Sequence, residues 1–268
     1  MTEAGGPERR VGVLGHGSIG SVVARCLAAG EVPGAALAGV GVRPGHQSAV
    51  GPTCTVDELI ERSDLIVEAA GQTALAEHGT RILEAGCDLL AVSTGALADP
   101  EVHTRFAAAG PGRLHICSGA IGGVDMVGAV RALGEIHAVQ ITTTKQPGSL
   151  VQPTMTSDEV DNLVAATEPV VLFDGASREL VKLFPSSTNV AATLALAVGS
   201  WDLVRGTVRA DPAAELTTHV VEVEAEAGRY RFEMGHHPSA QNPRSSAVVP
   251  WAVVRSLRDL CGSSWRFT

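Results

Sequence analysis

Residues Gly15-His16-Gly17-Ser18-Ile19-Gly20 spell a complete G-x-G-x-x-G. The motif follows a short apolar run, Val11–Leu14, and opens a stretch with apolar residues at helical spacing (Ile19, Val22, Val23, Cys26, Leu27). In that setting its chemistry is phosphate binding. Gly15 permits the tight turn, Gly17 lets the backbone approach a pyrophosphate, and Gly20 allows close helix–strand packing. Ser18 and Ile19 lie where a helix N-terminus turns its free N–H groups and positive dipole end toward phosphates. A turn made only for packing is the alternative. Two further loops of small residues, Ala69-Ala70-Gly71 and Ser93-Thr94-Gly95-Ala96, each follow an apolar strand-like run. Ala70, Gly71 and Thr94 are thereby candidate contacts to the same dinucleotide.

An acid that would hold the ribose 2′-hydroxyl is missing, because no Asp or Glu occurs between Glu31 and Asp57. The second strand ends instead at Val42-Arg43. Arg43 either meets a 2′-phosphate or faces solvent. The cofactor expected is therefore NAD or NADP, with NADP accepted and a candidate for preference. The five cysteines form no C-x-x-C pair, and His236-His237 have no acidic or Cys partner at ligand spacing. No metal site is expected, and the cysteines read as small buried hydrophobes in a reducing compartment.

These residues need a scaffold, and the pattern supplies one. Strands at 11–14, 35–42, 64–69, 88–92 and 114–117 alternate with helices at 18–29, 56–62, 74–85 and 100–109. Alternation at this spacing implies right-handed βαβ units with ligands at the carboxyl ends of the strands. After residue 122 the pattern changes. Helices are expected at 124–133, 157–166, 189–204 and 245–260, a Thr-rich strand at 136–145, and antiparallel strands at 207–209, 219–225 and 230–234. The fold class is α/β: a Rossmann-type doubly wound parallel sheet over 1–122, plus an α+β catalytic domain with a mixed or antiparallel sheet over 123–244. The C-terminal segment 245–268 is expected to pack back on the first domain.

Composition narrows the functions. Of 268 residues, 45% are apolar and 18% charged, which excludes disorder of the whole chain. A net charge of −9 with only 3% aromatics argues against nucleic-acid binding. Met1 to Arg10 lacks an apolar signal core, and the apolar stretch Val190 to Val198 is too short for a bilayer. A cytoplasmic protein with no membrane partner is expected.

Four segments carry a resemblance. They are Ser118-Gly119-Ala120-Ile121-Gly122-Gly123-Val124-Asp125; Phe184-Pro185-Ser186-Ser187-Thr188-Asn189 with Val190–Ala195; Asp211-Pro212 followed by Thr218-His219-Val220; and Gln241-Asn242-Pro243-Arg244-Ser245-Ser246. Together with the glycine loop, and in this order, they resemble the L-aspartate dehydrogenase family. The resemblance implies a Rossmann domain with an α+β catalytic domain and a place in pyridine nucleotide biosynthesis. It further implies NAD(P)-dependent interconversion of L-aspartate with oxaloacetate plus ammonia through iminoaspartate. It marks His219 as the catalytic acid/base, Asn189 as the principal cofactor Asn and Ala120 as a cofactor contact. Ser187 stands where the family often has Asn, and Gln241 where it often has Glu.

The chemistry is consistent beside that resemblance. Imine and water interconvert with proton transfer, which suits a histidine titrating near neutrality. By residue type alone His219 is one of nine histidines; His115 and His137 read as structural and His16 occupies a variable loop position. A dicarboxylate substrate needs cationic partners. Lys145, closing the Thr-rich strand before Gln146-Pro147, either faces the cleft or is solvated. Asn189 opens a helix as an N-cap and can also offer its amide to the nicotinamide or the substrate. Lys145, Asn189 and His219 are thus the candidate substrate residues. A homodimer is expected, supported by exposed apolar strands in the second domain. Two alternatives stay open: a reductase of another imine or keto acid, and a non-catalytic dinucleotide sensor.

Overall fold

The computed structural model describes residues 8–185 and 187–262. Most of the polar N-terminal stretch, Ser186, and the chain from Ser263 onward lie outside the described residues. Residues 8–119 together with 249–262 form one compact unit, and residues 120–248 form a second.

In the first unit β1 (Arg9–Leu14), β2 (Ala35–Gly41), β3 (Thr53–Cys54), β4 (Leu65–Glu68), β5 (Asp88–Ala91) and β6 (Leu114–Ile116) make one sheet in the order β3-β2-β1-β4-β5-β6. Every pairing is parallel. This is the doubly wound order expected of a Rossmann-type unit. Val11, Val13, Leu65, Ile66, Val67, Leu89 and Leu90 are almost wholly buried, as strands covered on both faces require. The covering helices are α1 (Gly20–Ala28), α2 (Val56–Arg62), α3 (Gln72–Glu84) and α4 (Pro100–Ala108). Local sequence fixes their starts. Thr55 and Glu58 form a reciprocal capping box on α2, and Asp99 caps α4 with Pro100 in its first turn. A last helix (Val249–Cys261) packs on α1 and adds Val253, Val254 and Leu257 to the core around Val11, Val23 and Leu27. It starts four residues later than the expected Ser245, and the two-residue β3 was not expected.

In the second unit the elements are α5 (Val124–Leu133), β7 (Ile136–Lys145), α6 (Ser157–Val164), β8 (Val170–Ala176), α7 (Ser177–Leu183), α8 (Asn189–Val198), β9 (Val204–Ala210), β10 (Thr217–Ala225) and β11 (Gly228–His236); the C-terminal helix of the first unit is α9. The sheet order is β11-β10-β7-β9-β8. The β7–β9 pair is parallel and the others are antiparallel, so the sheet is mixed. Helices α7 and α8 pack on one face.

Three expectations are corrected here. The helix expected to run to residue 204 stops at Val198, because Gly199 adopts φ +74° and closes the helix with its N–H on Ala195. The strand that follows runs from Val204 to Ala210; it is antiparallel to β8, as expected, and also pairs in parallel with β7. Strand β8 and helix α7 fill a stretch left without elements. The outward face of β10 and β11 is charged rather than apolar: Arg231 bridges Glu222 and Glu233, and Arg229 pairs with Glu224. Exposed apolar side chains occur instead at Val170 and Val171 of β8.

A packing test follows from α3. Gly79 faces the ring of Phe106 on α4 so closely that a Cβ would run into it, and Phe106 is buried. Gly→Ala inside a helix ordinarily stabilises by about 1 kcal/mol. At Gly79 the overpacking should reverse the sign, and Gly79→Ala should destabilise by about 1–3 kcal/mol. Urea unfolding of the two proteins measures this; a gain in stability would refute the packing account.

Candidate functional site

Strand β1 delivers the glycine loop to the carboxyl edge of the first sheet. Gly15 takes φ +102°, donates its N–H to Gly41 O, and a Cβ there would lie 2.6 Å from Ala69 O. Only glycine satisfies both constraints. Gly20 sits so close to Gly15 O that no side chain fits, whereas Gly17 has nothing within 4 Å of a Cβ position. Ile19 stands at the N-cap of α1 and supplies no side-chain cap, and Ser18 lies beside it in the turn. The first N–H groups of the helix thus lack the side-chain partner most helices recruit.

A cleft of about 840 Å³ opens beside this loop, lined by Gly15, His16, Gly17, Arg43, His46 and Ala70 among others. His16 Nε2 is buried there without a hydrogen-bond partner among the described residues. Arg43 is exposed and makes no ion pair among the described residues. Open space at Gly17, an uncapped helix start and an orphaned imidazole nitrogen together fit a dinucleotide: its phosphates would lie over Gly15–Gly20 and its adenosine toward Arg43.

Two loops complete the edge. Ala70 is exposed on the cleft, and Gly71 adopts φ +113° and leads into α3. Thr94 is fully buried at the start of a 3₁₀ turn, Thr94–Ala98, so it shapes its loop from inside. Between the loops lies Glu68, the last residue of β4, with 0% exposure. Its Oε1 accepts from Ala70 N (2.8 Å), Gly71 N (2.8 Å) and Ser93 Oγ (2.9 Å), and its Oε2 accepts from Ser93 N (3.0 Å). Burial holds this carboxyl above its ordinary value, and the bonds from Gly71, Ser93 and Ala70 offset only part of that rise. Sequence reasoning passed over Glu68; the signal was an acid ending a wholly apolar strand just before a small-residue loop.

The second unit gathers its own cluster. His219 on β10 lies directly across from Thr143 on β7, and the Thr143 hydroxyl is 3.0 Å from Nδ1. Lys145, two residues on along β7, is 3% exposed and donates to Arg244 O at 2.7 Å. That bond ties the strand end to the Gln241–Ser246 loop. Period-2 alternation points Thr143, Lys145 and His219 to the same covered face. His236, closing β11, tilts toward His219 with ring centroids 6.2 Å apart. Its Nε2 lies 2.8 Å from Ala120 O, which makes that nitrogen the protonated donor. Phe232 and Met234 of the same strand press on Gly123 and Gly122, so β11 supports the whole Ala120–Gly123 segment.

Burial pushes His219 down to about 3, helped by the nearby charges of Lys145 and His236. Burial likewise lowers Lys145 to about 8. At neutral pH the pair is therefore a neutral imidazole beside an ammonium. Of the two alternatives for Lys145, the solvated strand end does not hold, and His236, read from sequence as a loop residue, closes strand β11. Asn189 is half-buried and is the first residue of α8; the N-cap is Thr188, whose hydroxyl donates to Phe184 O at 2.7 Å. Of the residues singled out from sequence, Gly15, Gly17, Arg43 and Ala70 share one cleft, with Ser18, Ile19, Gly20, Gly71 and Thr94 around it. Lys145 and His219 share the second cluster, with Ala120 tied to it through His236.

Known proteins share both halves. A family model described as "Aspartate dehydrogenase, C-terminal" matches residues 125–260, and one described as "Homoserine dehydrogenase, NAD binding domain" matches residues 15–112. An L-aspartate dehydrogenase of Ruegeria pomeroyi is 36% identical, with 94% of this chain and 93% of that protein covered. One from Methanosarcina mazei is 30% identical, covering 94% and 96%. The crystal structure of aspartate dehydrogenase from Thermotoga maritima superposes with a TM-score of 0.78 at 26% identity, covering 97% of this chain and 99% of that one. A scyllo-inositol dehydrogenase from Lactobacillus casei with bound NAD(H) shares the fold alone, at a TM-score of 0.52 and 12% identity over 94% of this chain and 87% of that one. The first unit is a nicotinamide-dinucleotide-binding domain, and the likeness to aspartate dehydrogenases continues without a break through the mixed-sheet unit. The chain therefore belongs to the aspartate dehydrogenase family.

Proposed function

We propose that the protein is an NAD(P)-dependent L-aspartate dehydrogenase, interconverting L-aspartate with oxaloacetate plus ammonia through iminoaspartate. The observation that carries this reading is the end-to-end likeness to L-aspartate dehydrogenases. The buried Lys145–His219 pair supports it chemically. When bound, the nicotinamide accepts the hydride lost from the substrate Cα. Ala120 and Asn189 hold the nicotinamide end, and the glycine loop holds the pyrophosphate. Lys145, still largely protonated at neutral pH, binds a substrate carboxylate; its ammonium is already half-desolvated by its own burial. Thr143 occupies His219 Nδ1, so Nε2 is the nitrogen left for proton chemistry. Neutral His219 takes a proton from the water that adds to the imine carbon. It returns a proton as the C–N bond breaks and ammonia leaves. Substrate carboxylates beside the ring raise its pKa from the low value of the free site toward the working range.

The substrate assignment is tested by a panel assay. Purified protein should reduce oxaloacetate with ammonia and oxidise L-aspartate at alkaline pH, which favours the free amine and takes up the released proton. Faster turnover of glutamate, alanine or a 2-hydroxy acid would sink it.

Replacing the imidazole separates chemistry from binding. His219→Ala should lower kcat by about 10²–10⁴-fold, the usual scale for general acid–base catalysis, while dinucleotide affinity stays nearly unchanged. Near-wild-type turnover in a folded variant removes His219 from the mechanism.

Cofactor choice rests on Arg43. With no acid at the end of β2, nothing repels a 2′-phosphate, and an exposed guanidinium on the cleft offers it a planar fork. NADP should be accepted and preferred. Catalytic efficiency with both cofactors, in wild type and Arg43→Ala, is the measurement. Loss confined to NADP supports phosphate binding, equal loss with both points to stacking on adenine, and a strong wild-type preference for NAD defeats the idea.

A further inference from the structure

Glu68 is a buried acid without a described role. Its four partners are three backbone N–H groups and one hydroxyl, and no cation is among them. A carboxylate taken out of water at this depth is costly unless donors surround it. Here they do, and one of them is the N–H of Gly71, the N-cap of the 13-residue helix α3. The positive end of that helix helps to offset the charge.

The donors come from two separate loops. Ala70 and Gly71 follow β4, and Ser93 follows β5. One side chain thus fixes the spacing between two neighbouring strand ends. It also turns the N–H groups of both loops inward, which leaves the outer side of the loop after β4 toward the cleft. Ala70 is exposed there, and a Cβ at Gly71 would meet nothing within 4 Å. Ala69 O, one residue beyond Glu68, is the group against which Gly15 packs. In the sheet order, β4 and β5 lie on the opposite side of β1 from β2. Because a dinucleotide lies across the sheet with its adenosine ribose at the end of β2, its nicotinamide half falls over β4 and β5.

Resting on the cofactor reading above, we propose that Glu68 is a positioning residue for the nicotinamide half of the dinucleotide. Its carboxylate holds the Ala69–Gly71 and Ser93–Ala98 loops at the spacing that half needs. It touches neither substrate nor reacting atoms. Glu68→Gln keeps the shape but turns an amide NH₂ toward one of the donor N–H groups, so one loop must move.

The test compares two probes by titration: NADPH, and the 2′-phosphate of ADP-ribose, which lacks only the nicotinamide. Glu68→Gln should bind NADPH about tenfold more weakly, the scale of one lost buried hydrogen bond. Its affinity for the ADP-ribose probe should remain within about threefold of wild type, since glycine loop and Arg43 are untouched. Ser93→Ala, which removes only the hydroxyl bond to Oε1, should show a smaller loss of the same selectivity and serves if Glu68→Gln does not fold. Equal weakening of both probes means a general structural role and overturns the proposal, as does no weakening of either. If wild type prefers NADH, the same comparison runs with NADH and ADP-ribose; wild type that binds none of the four would overturn the cofactor reading itself, and this inference with it.

Discussion

A polar group taken out of water must be given a partner, and that requirement organises the chemistry-bearing parts of both units. The carboxyl edge of a parallel sheet is where strands end and loop N–H groups turn inward. Here a single buried carboxylate answers three of them and a hydroxyl at once. The second unit meets the same demand with neutral partners: Thr143 for His219, a backbone carbonyl for Lys145, another for His236. What stays unanswered is informative by contrast. His16 Nε2, buried at the lip of the glycine loop, has no partner among the described residues, and it lines the cleft.

The same requirement explains the electrostatics. The chain carries a net charge of −9, yet Glu68 is its one buried acid among the described residues, and none of those residues places a carboxylate against Lys145 or His219 in the second cluster. With no carboxylate beside it, buried His219 stays neutral and buried Lys145 loses part of its hold on its proton. The site is thus built short of negative charge. On the proposed function, a dicarboxylate bound there would supply what the protein withholds, and its binding would be linked to protonation of the imidazole.

How much of this the sequence discloses differs between the units. In the first, strands buried on both faces give unbroken apolar runs, and glycines at fixed offsets mark the turn, so β1, α1, β4 and the glycine loop are all readable. In the second, local signals compete. The apolar run from Asn189 reads as helix through residue 204, and the stop at Gly199 depends on a left-handed cap that a periodicity argument overlooks. Edge strand β8 is neither alternating nor buried, so it left no pattern to find. That β9 also pairs in parallel with β7, which lies far earlier in the chain, is a long-range choice that leaves no local signal. Asn189 looks like a cap because of its type, but the backbone puts Thr188 there. Glu68 and His236 were missed for one reason: their significance lies in partners 25 and 116 residues away.

The helix Val249–Cys261 belongs to the core of the first unit although the whole second unit precedes it in the chain. Synthesis is vectorial, so a growing chain finishes the sheet β1–β6 long before the residues that seal it exist. Until Val253, Val254 and Leu257 emerge, α1 packs on β1 and β2, and its side toward α9 stays open to water. A chain truncated before Val253 would lack the three residues that α9 adds to the core around α1. The covering of α1 in the first unit thus waits on residues made only after the whole second unit.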